Sequence, residues 1–207
     1  MKKIAILFLI LILCSCSADI NHVFDDLDIA FASFQKKEDI NYVNNNTKYY
    51  SFYLPSDINE IEYGDTFHHL IFNDSDFVMS LNVNGILSKN IFGTDAGNPY
   101  DFLKDYMIYE NYLEGDNPFK FDLYFISNDL YFSFITNKLS FFGATTYSNV
   151  IELCKHLLVI NDSVKIDDTK VVDDFYSGTA IDSTHEAVDL FDTYHPLNGD
   201  VQDLLPD

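Results

Sequence analysis

Between residues 22 and 37 the apolar side chains Phe24, Leu27, Phe31 and Phe34 recur at three- and four-residue intervals, which predicts an amphipathic helix. Asp25, Asp26 and Asp28 fall in its first turn and Lys36 and Lys37 in its last, the arrangement that a helix dipole favours. The stripe is expected to pack on a core rather than lie on a membrane, because interfacial helices carry Lys and Arg on the polar face. A second helix is predicted from Ser148 or Asn149 to about Ile160. Val150, Leu153, Cys154, Leu157 and Leu158 share one face of it, and Asn149 and Glu152 have capping-box spacing.

Between the helices the period shortens and strands follow one another. Tyr49–Leu54 stops at Pro55, Ile58–Tyr63 ends at Gly64-Asp65, and Thr66–Phe72 ends at Asn73-Asp74-Ser75-Asp76. Phe77, Met79, Leu81 and Val83 alternate with Ser80 and Asn82, and Asn84-Gly85 before Ile86 predicts a hairpin turn. Tyr106–Tyr112, Phe119–Ser127, Leu130–Thr136 and Leu139–Thr145 complete the set, the last three separated by two-residue turns. Asn44-Asn45-Asn46-Thr47 reads as a break and Phe92–Pro99 as an irregular loop. The order predicts an α+β domain: an antiparallel meander sheet with an N-terminal and a C-terminal helix packed on it, followed by a disordered acidic tail.

The start of the chain has a different pattern. Lys2 and Lys3 precede an unbroken apolar run, Ile4–Leu13, and a small-residue exit, the three parts of an export signal. Ten apolar residues are too few to span a bilayer, which takes about 20. The exit, Leu13-Cys14-Ser15-Cys16, resembles the lipobox of bacterial lipoproteins. Modification at Cys14 would leave bulky Leu13 before the cut, so Cys16 is the expected site. The resemblance implies cleavage before Cys16, a diacylglyceryl thioether there and usually a third chain on its amine. Two or three chains at about 0.8 kcal/mol per buried methylene hold a protein firmly. The expected organisation is a signal peptide over 1–15, an acylated anchor and short tether over 16–21, a globular domain over 22–166 and the acidic tail over 167–207. The expected location is the extracytoplasmic face of the cell membrane, with the lipid on Cys16 as the link to that membrane.

Loss of 15 residues from the 207 leaves 192, enough for one domain with a real core. Cys154 is then the one cysteine besides Cys16, so no intramolecular disulfide forms, and its helical neighbours predict a buried, inert thiol. Without Lys2 and Lys3 the chain has ten lysines, no arginine and 33 acids, a net charge of about −23 that repels nucleic acid and other polyanions. Lack of arginine also removes bidentate recognition of phosphate or carboxylate.

No nucleophile elbow, His-Glu-x-x-His, Cys-x-x-Cys, phosphate-cradling glycine loop or dinucleotide fingerprint occurs, and neither catalysis nor a cofactor is expected. His68 and His69 are adjacent on a strand and point to opposite faces, which separates them as metal ligands. His156 lies one turn beyond Glu152, at pairing distance on the polar face. Asp74, Ser75 and Asp76, and Asp95 with Asp101, offer oxygens for a cation, but they match no calcium loop and read as turn residues. From Val171 to Asp207 there are nine acids and no lysine. Two apolar clusters interrupt that stretch, Val188, Leu190 and Phe191, then Val201, Leu204 and Leu205; they read as docking motifs that fold on a partner, with Val188, Leu190, Phe191, Leu204 and Leu205 as the expected partner-binding residues, or as segments that fold back on the domain.

The lipobox, an early helix, the stretch Lys48-Tyr49-Tyr50-Ser51-Phe52-Tyr53-Leu54-Pro55, the aromatic strands, the helix end Asn161-Asp162-Ser163-Val164 and the acidic tail together resemble a group of small uncharacterised lipoproteins from low-GC bacteria. The resemblance covers most of the mature chain, implies no activity and carries over one functional residue, the acylated Cys16. The expected function is that of a membrane-anchored, non-enzymatic interaction domain that contacts another cell-envelope protein. The alternative is a receptor for a small ligand or cation.

Overall fold

A computed structural model describes residues 20–34, 42–92, 100–115 and 117–178. The fold is α+β. Helix α1 (Ile20–Phe34) leads into two short strands, β1 (Asn45–Asn46) and β2 (Tyr50–Phe52), then β3 (Asn59–Tyr63), β4 (Phe67–Phe72) and β5 (Ser75–Leu81). A short helix α2 (Val83–Ser88) and a 3-10 helix (Asp101–Tyr106) precede β6 (Met107–Leu113), β7 (Phe119–Ile126), β8 (Asp129–Thr136) and β9 (Leu139–Thr145). Helix α3 (Val150–Ser163), strand β10 (Lys165–Ile166) and helix α4 (Asp168–Tyr176) follow.

The large antiparallel sheet has the order β3-β4-β5-β9-β8-β7-β6. It is two meanders joined through β5 and β9 rather than the single meander the sequence predicts. Asn82 explains the difference. Its side chain accepts from the Gly85 N–H at 2.9 Å and caps α2, while its amide donates to the carbonyls of Thr136 and Ile91. Asn84-Gly85 therefore lies inside a helix and makes no hairpin, and β5 takes β9 as its neighbour. A Cβ at Gly85 would stand 2.9 Å from the Asn137 carbonyl, so this close approach requires glycine.

The polar run Asn44-Asn45-Asn46 is also not a break. The Asn44 side chain bonds both the N–H and the C=O of Leu54, and β1 pairs with β2 in a small sheet ordered β1-β2-β10. The expected strand over Tyr49–Leu54 thus shortens to β2 and leaves the large sheet.

One face of the large sheet is aromatic. Phe77, Phe121, Phe132, Phe134 and Phe141 are at most 1% exposed, and α1 and α3 cover them. Phe31 stacks on Phe119 with ring centroids 5.0 Å apart and meets Phe121 at 5.3 Å, while Phe24 stacks on Tyr109 at 5.2 Å. Gly143 makes the centre of this face. It pairs with Phe77 on one side and Phe132 on the other, and those two rings meet edge to face across it at 5.8 Å. The opposite face is covered as well, by Ile91, Tyr100 and Leu103 on Tyr124, Ile126, Tyr131, Ile135 and Phe142. A sheet covered on both sides accounts for the nearly continuous apolar runs of β7, β8 and β9.

Two of the expected helix-end interactions take other forms. Because α1 starts at Ile20, its acids lie beyond the first turn, and Asp28 instead accepts from the Tyr109 hydroxyl and the Asn111 amide. Asn149 precedes α3 but makes no side-chain cap.

The direction of α1 distinguishes the two ends of the domain. It passes from Tyr109, beside Phe24, to Phe119, beside Phe31, and Phe119 pairs with Leu113. Its first residue therefore lies at the end that holds Met107, the β7–β8 turn and the start of α3, here the near pole. The far pole holds the β3–β4 turn, the β8–β9 turn and α2. At the far pole Asp167 caps α4, Val171 of α4 is fully buried, and Lys89 after α2 pairs with Asp168 at 2.8 Å. That ion pair is well exposed and contributes at most about 1 kcal/mol. Burial of a valine contributes about 1.5–3 kcal/mol, so Val171 is the principal hold on α4. The acidic tail predicted from 167 thus begins as a packed helix, because Val171 has a core to enter. Residues 179–207 lie outside the described residues.

Gly143 gives a direct test of this core. A Cβ there would run into the Asp76 carbonyl and Phe77. Gly143→Ala is expected to lower stability by about 1–3 kcal/mol, read as a reduced urea midpoint. An unchanged midpoint would show that the two rings have room to separate.

Candidate functional site

The far pole carries an open cleft of about 670 Å³ between the small sheet and the start of α4. Its shape follows from a local turn. Thr47 Oγ1 accepts from the N–H groups of Tyr49 and Tyr50 and donates to the Tyr50 carbonyl, a side-chain turn that brings Lys48 and Tyr49 to α4. There the Lys48 ammonium lies 2.7 Å from Asp174 Oδ2, and the Tyr49 hydroxyl donates to the same oxygen at 2.9 Å. Lys48 also sits 4.7 Å from the centroid of the Tyr49 ring. The hydrogen bond to Asp174 holds the Lys48 ammonium above its ordinary pKa, and the same bond holds Asp174 below the usual carboxylate range. Lys165 adds a second cation to the lining, and Asp167 and Asp168 are its acids. Ammonium, hydroxyl, amide and carboxylate groups in an open depression suit hydrogen bonding to a polar ligand or to another chain. The lining contains no imidazole and no thiol.

His68 lies beneath this small sheet. It is 2% exposed, with Tyr50 and Phe52 edge-on to its ring and Tyr63 stacked on it. Nδ1 is 2.5 Å from Glu60 Oε2, and Nε2 has no hydrogen-bond partner among the described residues. Burial pushes the imidazole below its ordinary pKa, and Glu60 opposes that in part. His69 points to the other face, where Nε2 lies 2.6 Å from Asp76, so the two histidines are separated as their spacing predicts. His156 does not pair with Glu152. It stands 2.9 Å from Asp57, edge-on to Phe72, while Glu152 takes Lys155. Among the described residues no group of three or more His, Cys, Asp or Glu side chains is arranged to hold a metal.

A second polar group is buried on the face away from α1 and α3. Asp122 is inaccessible to solvent, 3.1 Å from the Lys120 ammonium and hydrogen-bonded by the Tyr124 hydroxyl, which is also 3.3 Å from Ser133 Oγ. Burial raises the Asp122 carboxyl above the usual range, with Lys120 and Tyr124 in opposition. Glu110 joins from β6 at 2.8 Å from Lys120. Removal of one partner from such a buried pair costs about 3–5 kcal/mol, so this cluster acts on stability. Cys154 is fully enclosed and burial pushes its thiol up, in keeping with the inert role predicted for it.

The sequence-predicted sites, Cys16 for lipid and Val188, Leu190, Phe191, Leu204 and Leu205 for a partner, lie outside the described residues, as does Asp95. The cleft was not legible in the sequence. Lys48 and Tyr49 stand in the quoted Lys-Tyr-Tyr stretch, but their partner Asp174 is more than a hundred residues away in a segment that reads as tail.

His68 sets an expected pH dependence. Its folded pKa is lower than its unfolded one, so the contribution of the neutral ring is complete above the unfolded value of about 6.5 and is lost as pH falls through and below that value. Thermal midpoints measured from pH 8 to pH 5 should fall more steeply for the wild type than for His68→Phe, whatever the offset between them. Parallel curves would remove His68 as the cause. No protein-family model, no curated protein and no solved structure matches this chain.

Proposed function

We propose that this protein is a lipid-anchored, non-enzymatic interaction domain on the extracytoplasmic face of the cell membrane, with the far-pole cleft as its contact surface. The observation that carries the reading is Leu13-Cys14-Ser15-Cys16 behind a charged and apolar leader, with a packed helix that starts at Ile20. Among the described residues no helix is long and apolar enough to cross a membrane. Acylation at Cys16 would then provide the attachment, since two or three chains suffice for stable anchoring. Such a tether would hold the near pole toward the lipid and leave the cleft on the outer side.

The cleft supports contact with another envelope protein. Its lining sets the ammonium groups of Lys48 and Lys165 beside the carboxylates of Asp167 and Asp168, so it offers charges of both signs to a polar partner surface. The same volume and polar lining favour a second reading, a receptor for a small polar ligand.

Two measurements test this. Metabolic labelling with an alkyne fatty acid should mark the wild type and leave Cys16→Ala unlabelled and no longer membrane-held. Equal labelling of the variant would overturn acylation at Cys16. A photo-crosslinking side chain at Thr169, exposed in the cleft lining, should yield one discrete protein adduct in cells, lost in the double variant Lys48→Glu, Lys165→Glu. If no adduct forms while a small polar solute raises the thermal midpoint of the wild type, the receptor reading replaces the interaction reading.

A further inference from the structure

We infer that the near pole itself touches the bilayer, through the rings of Phe125 and Tyr147. This rests on the acylation of Cys16 proposed above. Residues 17–19 separate Cys16 from the first residue of α1, and four residue steps reach at most about 14 Å even when fully extended. A lipid on Cys16 therefore keeps the start of α1 within about that distance of the headgroups. The near pole is at that end of the sheet, because α1 runs from Tyr109 toward Phe119.

Phe125 is next to last in β7, at this pole, and 40% of it is exposed although it follows Phe119, Phe121 and Leu123 on the same buried face. Its ring meets that of Tyr147, in the turn before α3, at 6.5 Å. Tyr147 is half-buried, and burial raises its phenol above the ordinary pKa. A phenyl ring and a phenol that cap the apolar face at the tethered end have the chemistry of side chains that settle at a membrane–water interface, apolar body inward and polar edge in water. Asp129, the first residue of β8 after the adjoining turn, is exposed, so the contact is shallow and suits zwitterionic headgroups better than anionic ones. The occupant is thus a neutral lipid surface, and the tether length brings it there.

The chain contains no tryptophan, so one introduced indole is a unique probe. The full acylated protein would be reconstituted in phosphatidylcholine vesicles with or without bromine on the acyl chains, as Phe125→Trp, Tyr147→Trp and, at the far pole, Tyr63→Trp. Bromine should quench Phe125→Trp and Tyr147→Trp about twofold or more and leave Tyr63→Trp unchanged, as expected for interfacial rings. Vesicles that carry the protein on flotation yet leave both near-pole probes unquenched would overturn the contact while acylation stands. A blue-shifted but unquenched probe would assign the ring to a protein neighbour or a second copy and would also overturn it. Failure to float would remove the anchor, and the contact with it. Tyr147→Trp provides the reading if Phe125→Trp does not fold.

Discussion

The stacking of Phe24 on Tyr109 and of Phe31 on Phe119 fixes the direction in which α1 crosses the sheet, and much else follows from that direction. A helix with the same stripe but the opposite polarity would bury similar area, and the start of the chain would then emerge beside the cleft. Asp28 helps to exclude that arrangement, since only one polarity brings it to the Tyr109 hydroxyl and the Asn111 amide. Removal of Phe31 would forfeit about 3–5 kcal/mol of packing, a large share of the stability of a domain of this size. The aromatic face beneath it depends in turn on Gly143, whose missing side chain lets Phe77 and Phe132 meet.

The far pole is organised by polar contacts laid over a small apolar hold. Val171 fixes α4 by burial, and Asp174 then receives Lys48 and the Tyr49 hydroxyl from the turn that Thr47 shapes. The cleft is therefore a joint product of residues near 48 and residues near 170. His68 supports the small sheet from below as a neutral ring, with Glu60 on one nitrogen. A loss of α4 would remove one wall of the cleft without a breach of the aromatic core.

Much of the large sheet was legible because its strands carry strong local signals. Two-residue turns fix β7, β8 and β9 as antiparallel neighbours; the sequence places the first at Asn128-Asp129, and the structure closes it one residue earlier, at Ser127-Asn128, where both residues adopt positive φ as such a turn requires. The buried face of α3 was equally plain from Val150, Leu153, Cys154, Leu157 and Leu158. What escaped depends on partners distant in sequence. Asn84-Gly85 carries a hairpin signal, but Asn82 finds the Thr136 carbonyl and caps a helix instead. The segment from 168 is acidic by composition, yet one valine with a core to enter makes it a helix. No local pattern announces that Asp174 will meet Lys48.

Acylation at Cys16, as proposed, would stand the domain on the membrane by the end where α1 begins and present the cleft at the other. The poles are separated by roughly the length of β5, about 20 Å for seven residues. Cys154 is buried and the proposed acylation would block Cys16, so Asp129→Cys and Asp65→Cys would each leave one thiol open to a fluorescent label. Energy transfer from these labels to an acceptor dye at the bilayer surface compares their heights directly. Transfer should be much stronger from position 129 at the near pole than from position 65 at the far pole. Equal or reversed transfer, from protein that remains on the vesicles, would contradict that orientation.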